Sequence, residues 1–250
     1  MRSVTTALQV LEAVAVNQPV GLSALARALG LPKTTVQRSL TTLADSGWIE
    51  QQASTGRWQV GVRAFVVGSA VSARGGLRSI ALPMMRELGV EVGETVHLMV
   101  PTGREVVLVE RVDSLQPVRA VAPLGARGPL HATSNGKAVL AALPPDEVDA
   151  YIAGGLHAVT PNTLTDPDRL RTELRRIAEA GYSVCQEEFE AGVVSVGAAI
   201  RPGHGRPIAS LSVSCPKSRV SPELFAPYGE KVRLTAEAVA AALPVDVDAV

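Results

Sequence analysis

Aromatic rings are scarce in this 250-residue chain: three Phe, three Tyr and two Trp make up 3% of it. With hydrophobic residues at 46%, the core has to be built from Ala, Val and Leu, and so apolar a composition excludes a disordered chain. Two cysteines, Cys185 and Cys215, are too few for a disulfide framework or a zinc site of their own. Four histidines, His97, His131, His157 and His204, lie scattered without metal-ligand spacing. No apolar run approaches the roughly 18 residues of a membrane span; the longest, from Val193 to Ile200, is interrupted by Ser195 and Gly197. Gln9 and Glu12 break the apolar stretch behind Arg2 and no small-residue cleavage site follows, so no secretory signal is expected. These absences predict a soluble protein of the reducing cytoplasm with no membrane partner. Net charge is lacking too: 24 basic side chains balance 24 acidic ones, which for the chain as a whole argues against a nucleic-acid partner.

That zero conceals two unlike parts. Residues 1–76 hold seven basic against three acidic side chains, +4, and the remainder holds 17 against 21, −4. In the basic part, Val4, Ala7, Leu8, Leu11, Val14 and Ala15 recur at helical spacing. Ser23 is placed to N-cap a short helix ending at Gly30. A third helix runs from Lys33 to about Ser46 with Val36, Leu40 and Leu43 on its inner face. Two short strands follow from Trp48 to Val60 about a turn at Ser54-Thr55-Gly56. Two helices joined by a tight turn and followed by a hairpin make a winged helix-turn-helix, whose second helix reads DNA. Lys33, Thr34, Thr35, Gln37 and Arg38 avoid the apolar stripe and crowd the start of that helix. Arg and Gln suit base edges, while Lys and Thr suit phosphates. Arg57, beside the wing turn, suits a phosphate or the minor groove.

Val62 to Ala73 is spaced as a connecting helix, and Arg74-Gly75-Gly76 reads as a hinge. The expected domains are therefore 1–61, a winged helix; 62–76, linker helix and hinge; and 77–250, a sensory and oligomerisation domain. In that last part a hairpin is expected over Glu94–Val100 and Glu105–Val112. Helices are expected over Leu77–Leu88, Ser134–Ala142, Asp146–Ala153, Asp166–Ala180 and Pro222–Leu243. Strands are expected near Tyr182–Glu187, Val194–Arg201 and Pro207–Ser214, and the tail after Pro244 is expected to fray. The fold class is α+β with a mainly antiparallel sheet.

The order of motifs resembles the IclR family of bacterial transcription regulators. The resemblance rests on Leu22-Ser23-Ala24-Leu25-Ala26-Arg27 through Lys33-Thr34-Thr35-Val36-Gln37-Arg38-Ser39-Leu40, and on Gly47-Trp48-Ile49-Glu50. Further on it rests on Gly93-Glu94-Thr95-Val96-His97-Leu98, Pro129-Leu130-His131-Ala132-Thr133-Ser134-Asn135-Gly136-Lys137-Ala138, Gly181-Tyr182 with Glu187-Glu188, and Ser212-Val213-Ser214. Trp58-Gln59-Val60-Gly61 stands where such proteins usually close the wing with a Tyr-Arg-Leu-Gly-like segment. The resemblance implies a winged helix joined to a GAF-like α/β effector domain, working as a dimer or tetramer on a palindromic operator.

Thr133 or Ser134 can cap the helix that begins near Asn135-Gly136, leaving amides and the positive helix end facing a carboxylate. The resemblance places a ligand against the backbone of Ser134 and Asn135, with Gly136 beside them in the effector site. It adds Ser212 and Ser214, two apart and so on one strand face, with Ser195 nearby. Cys185 stands where family members often carry an acidic residue. With small Ala120 and Gly128 in the preceding loop, this predicts a roomier, less acidic pocket, suited to a larger or ring-bearing acid. Arg119 and Arg127 read as surface cations.

Competing readings are weaker in the residues themselves. A phosphate loop would need Gly at 131 and Ser or Thr at 138, where the chain has His131 and Ala138. No G-x-S-x-G elbow occurs, and neither catalytic residues nor a cofactor are expected. A redox- or metal-sensing regulator using Cys185 and Cys215 is the alternative.

Overall fold

The computed structural model describes residues 2–72 and 76–244. The chain forms two compact units, Met1–Ala73 and Arg74–Val250. The hinge expected at Arg74-Gly75-Gly76, except for Gly76, and the fraying tail after Pro244 lie outside the described residues.

The first unit packs α1 (Arg2–Asn17), α2 (Leu22–Leu29) and α3 (Lys33–Asp45) around Val10, Val14, Leu25, Val36, Leu40 and Leu43. Strands β1 (Ile49–Gln51) and β2 (Trp58–Val60) form the wing, and Trp58 also bridges to Val20. Helix α4 (Val62–Ser72) follows. Two sequence expectations need correction. Ser23 does not cap α2; it lies exposed within the first turn. The helix starts earlier, because the Gly21 carbonyl already accepts from the Ala24 and Leu25 amides. In α1 the buried stripe is Val10 and Val14, whereas Val4 and Leu8 are more than half exposed. The Val4-Leu8 stripe is rotated away from α2 and α3.

The second unit is built on a six-stranded sheet in the order β5-β4-β3-β8-β7-β6, every pairing antiparallel. In chain order its elements are α5 (Leu77–Val92), β3 (Thr95–Thr102), β4 (Glu105–Val112), β5 (Arg127–Pro129) and α6 (Ser134–Ala141). Then come α7 (Pro145–Ala153), α8 (Pro167–Ala180), β6 (Ser183–Gln186), β7 (Val193–Ile200), β8 (Ala209–Pro216) and α9 (Phe225–Ala242). Alternation gives the sheet two chemically different faces. One carries Val96, Leu98, Ala198, Ile200, Leu211 and Val213, closed by Leu77, Ala81, Met85 and Leu88 of α5 and Val232, Ala236 and Val239 of α9. The other carries Thr95, His97, Ser183, Cys185, Ser195, Ser212 and Ser214, and α6 packs on it. A polar sheet face that is nonetheless buried is what positions the site.

Candidate functional site

In the first unit, Lys33, Thr34, Gln37 and Arg38 are exposed on α3, Thr35 is half-buried, and Arg57 is exposed at the wing beside Gly56. Thr41 shares the outer face of α3, where its hydroxyl donates to the Gln37 carbonyl at 3.1 Å. Among the described residues, every ion pair lies between Arg78 and Glu237. Lys33, Arg38 and Arg57 therefore have no carboxylate partner among the described residues. Most arginines of the second unit are spent on neighbouring carboxylates. A concentration of cations on one helix start and one wing suits a polyanion.

In the second unit, strand register sets out two adjacent cross-strand rows on the polar face. Cys185, Ser195, Ser214 and Thr95 form one; Ser183, Gly197, Ser212 and His97 form the next. The segment before α6 and its first turn are hung from these rows. Cys185 Sγ donates to the Ala132 carbonyl at 3.2 Å, Ser183 Oγ to the Ser134 carbonyl at 2.6 Å, and Asn135 Nδ2 to Ser212 Oγ at 2.8 Å. Gly197 permits this approach, since a Cβ there would sit 2.9 Å from the Ser134 carbonyl carbon. Of the two candidate caps, Thr133 is the one used: its Oγ1 accepts from the Gly136 amide at 3.0 Å. The Lys137 amide reaches the Thr133 carbonyl at 2.9 Å. The amides of Ser134 and Asn135, at the first two helical positions, have no intrahelical acceptor.

In front of them lies a cavity of about 90 Å³ lined by Ala120, Ser134, Asn135, Cys185, Ser195, Ser212 and Ser214. Two expected lining residues stand behind it instead. Gly128 is buried in β5, where a Cβ would come within 2.6 Å of Thr133 Cγ2 and 3.2 Å of the Phe189 ring. Gly136 faces Leu130, where a Cβ would come within 2.3 Å of the Leu130 Cα. Met99, Leu108 and Phe189, which periodicity does not single out, complete the lining together with His97, which the alternation of its strand marks as a core or pocket side chain. His97 is 8% exposed, and its Nδ1 lies 3.2 Å from Ser214 Oγ. Burial, with Arg111 as a second cause, lowers its pKa to about 4, so the ring is neutral at physiological pH. Its Nε2 and Asn135 Oδ1 meet no protein partner among the described residues.

The cavity is smaller than expected. An apolar cavity that admits benzene measures roughly 150 Å³. Phe189, together with Val121 and Ala122 of the covering segment 113–126, borders the cavity opposite the sheet, and the Arg111 guanidinium ties that segment down at the Ala122 carbonyl. A compact acid fits this arrangement, and a ring requires Phe189 or the covering segment to shift. Arg127 reaches the cavity rim but is half exposed and paired with Glu105 at 3.1 Å. Arg119 is exposed and lies outside the lining.

The two thiols lie on opposite faces of the sheet, because Cys185 aligns with Ser195 and Ser214 whereas Cys215 aligns with Val194. They cannot pair across it. Burial pushes Cys185 up to about 11 and Cys215 up to about 12, which keeps both as unreactive thiols. Among the described residues no group of three or more His, Cys, Asp or Glu is placed to hold a metal, and no helix is long and apolar enough to cross a membrane.

A winged helix with a cationic reading face, and a separate α/β unit holding a small cavity, define a DNA-binding transcription regulator. The IclR helix-turn-helix domain matches residues 3–53, and the bacterial transcriptional regulator IclR C-terminal domain matches residues 69–241. The chain belongs to the IclR family. It is 36% identical over 243 residues to the acetate operon repressor of Salmonella typhimurium, covering 96% of this chain and 89% of the relative. It is 38% identical over 216 residues to the transcriptional repressor AllR of Klebsiella pneumoniae, covering 86% and 79%. Among solved structures, an IclR homologue from Microbacterium hydrocarbonoxydans complexed with 4-hydroxybenzoate superposes with a TM-score of 0.80. That match is at 29% identity and covers 95% and 97% of the two chains. The Thermotoga maritima IclR superposes with a TM-score of 0.73 at 29% identity, covering 96% and 98%.

Proposed function

We propose that the protein is a repressor that binds a palindromic operator as a dimer or tetramer and is modulated by a small carboxylate-bearing metabolite. Lys33, Thr34, Thr35, Gln37 and Arg38 enter the major groove, with Ser23 and Arg57 at the flanking backbone. The metabolite sits between the first turn of α6 and the Ser212–Ser214 stretch of β8, its carboxylate on the Ser134 and Asn135 amides and its body beside Cys185 and Ser195. The observation that carries this reading is that pair of helix-start amides, open toward a buried cavity on the positive end of a helix. The repressor names of the relatives and the 4-hydroxybenzoate complex of one of them support it.

Self-association is supported by α4, whose Val62, Phe65, Val66 and Val67 are at least half exposed. That apolar stretch is the natural seat of a second copy. Effector control then requires that the acid bind one arrangement of the paired readers better than another, since only differential affinity shifts such an equilibrium.

Calorimetry on the full chain with propionate, lactate, pyruvate, benzoate and 4-hydroxybenzoate tests the site. Ser134→Pro removes one amide at a position where proline suits a helix, and it follows a residue already in extended conformation at φ −118° and ψ 149°. It is expected to weaken acid binding about 10- to 100-fold, the worth of one charge-assisted hydrogen bond, while Ser134→Ala leaves it within about threefold. Equal affinities in both variants would overturn the reading.

A further inference from the structure

The cavity contains more polar chemistry than a carboxylate uses. Asn135 is 3% exposed and spends its Nδ2 on Ser212, so its Oδ1 stays unpaired among the described residues. His97 is the cross-strand partner of the same Ser212, is 8% exposed, and holds Ser214 through Nδ1, so its Nε2 stays unpaired too. Two buried polar atoms without partners, from two residues that line one cavity, are rare in proteins and each calls for a partner. One can only accept. The other donates when the Ser214 hydroxyl gives its proton to Nδ1.

We propose that His97 Nε2 and Asn135 Oδ1 form a second polar station in the effector cavity, and that the effector is a monocarboxylate carrying a hydroxyl which these two atoms take together. The hydroxyl donates to Asn135 Oδ1 and accepts from His97 Nε2–H. An oxo group satisfies only His97 and faces Asn135 Oδ1 with a second acceptor. A second carboxylate fares worse, because the buried cation of this region, Lys137, is already held by Glu188 at 2.6 Å and the Val184 carbonyl at 2.8 Å. The neutrality of the buried His97 ring agrees with an un-ionised partner. This inference rests on the carboxylate reading of the α6 terminus and adds the specificity that reading leaves open.

The test is calorimetry on the full chain with matched acids of two sizes: propionate, lactate, 3-hydroxypropionate, pyruvate and malonate, then benzoate and 4-hydroxybenzoate. The expected result is that in at least one size class a hydroxy acid binds about tenfold or more tighter than its plain, oxo or dicarboxylate counterpart. His97→Leu is expected to bring that preference within about threefold while the plain acid keeps its affinity. His97→Gln, whose amide nitrogen reaches toward the place of Nε2, is expected to restore part of it. Should His97→Leu fail to fold, the wild-type comparison of matched acids decides alone. Plain and hydroxy acids binding alike, with both weakened by Ser134→Pro, would overturn the hydroxyl station and leave the carboxylate site standing. No binding by any acid, or binding indifferent to Ser134→Pro, would overturn both.

Discussion

The Asn135 side chain donates to the Ser212 hydroxyl at 2.8 Å, 77 residues further along the chain, and so fastens the first turn of α6 to the centre of the sheet. Both residues are at most 3% exposed. Ser212→Ala leaves a buried amide hydrogen unpaired and is expected to cost about 1–3 kcal/mol of stability, measured by urea unfolding of the C-terminal transition. It is also expected to loosen the α6 terminus and lower acid affinity.

Gly197 makes the same fastening possible from β7. Gly197→Ala places a methyl group 2.9 Å from the Ser134 carbonyl carbon and 3.1 Å from the Asn135 nitrogen. Neither can yield without moving the helix, so a loss of about 1–3 kcal/mol is expected. Acid affinity should fall with it, because the two amides move together.

Lys137 is 1% exposed, and its ammonium is shared by Glu188 at 2.6 Å and Glu173 at 3.8 Å. Burial raises the Glu188 pKa and Lys137 opposes that rise. Lys137→Met strands a buried carboxylate and is expected to destabilise by about 3–5 kcal/mol. Lys137→Met combined with Glu188→Leu is expected to recover a substantial part of that loss in thermal unfolding.

Acid should act on His97. Its pKa is about 4 in the fold, against 6.5 as the reference value, because burial and Arg111 disfavour the imidazolium more than Asp113 favours it. Between those values the unfolded chain binds a proton that the folded chain does not. The contribution is therefore complete above about pH 6.5 and is lost as pH falls toward 4. The shift corresponds to about 3 kcal/mol. His97→Asn is expected to flatten stability against pH over that window, measured by urea titrations at several pH values.

On the DNA side, Arg38→Ala or Gln37→Ala is expected to relax sequence preference at about 1–3 kcal/mol per lost base contact. Lys33→Ala should weaken all sequences alike and reduce the salt slope by about one. Competition binding at several salt concentrations separates the two behaviours.

Local signals made most of the fold legible. The periods of Val36, Leu40 and Leu43 and of the β7 and β8 segments are one-dimensional, and so is the punctuation by Gly30, which follows α2 with positive φ. Ser212 and Ser214 declared a shared face through their spacing alone. What stayed hidden depends on pairing between distant segments. The alternation of its strand marks His97 as a core or pocket side chain, but its partners Ser212 and Ser214 emerge only when β3 is laid against β8, and Phe189 enters the cavity only through the turn between β6 and β7. Periodicity also could not choose between two overlapping stripes on α1, since packing against α2 and α3 decides which is buried. Ser23 resembles a cap because the residue at the true N-cap position, Gly21, has no side chain to declare itself.

An acid held at the α6 terminus is expected to alter DNA binding. This is tested most directly by fluorescence anisotropy of a labelled DNA fragment from upstream of the protein's own gene, with and without a saturating acid chosen by calorimetry. Wild type and Ser134→Pro are expected to bind the fragment alike without acid. With acid, the wild-type Kd is expected to shift at least about fivefold, the lower end of ordinary allosteric coupling, while the variant stays unchanged. An equal shift in both proteins, or none in the wild type once acid binding is saturated, would contradict the account.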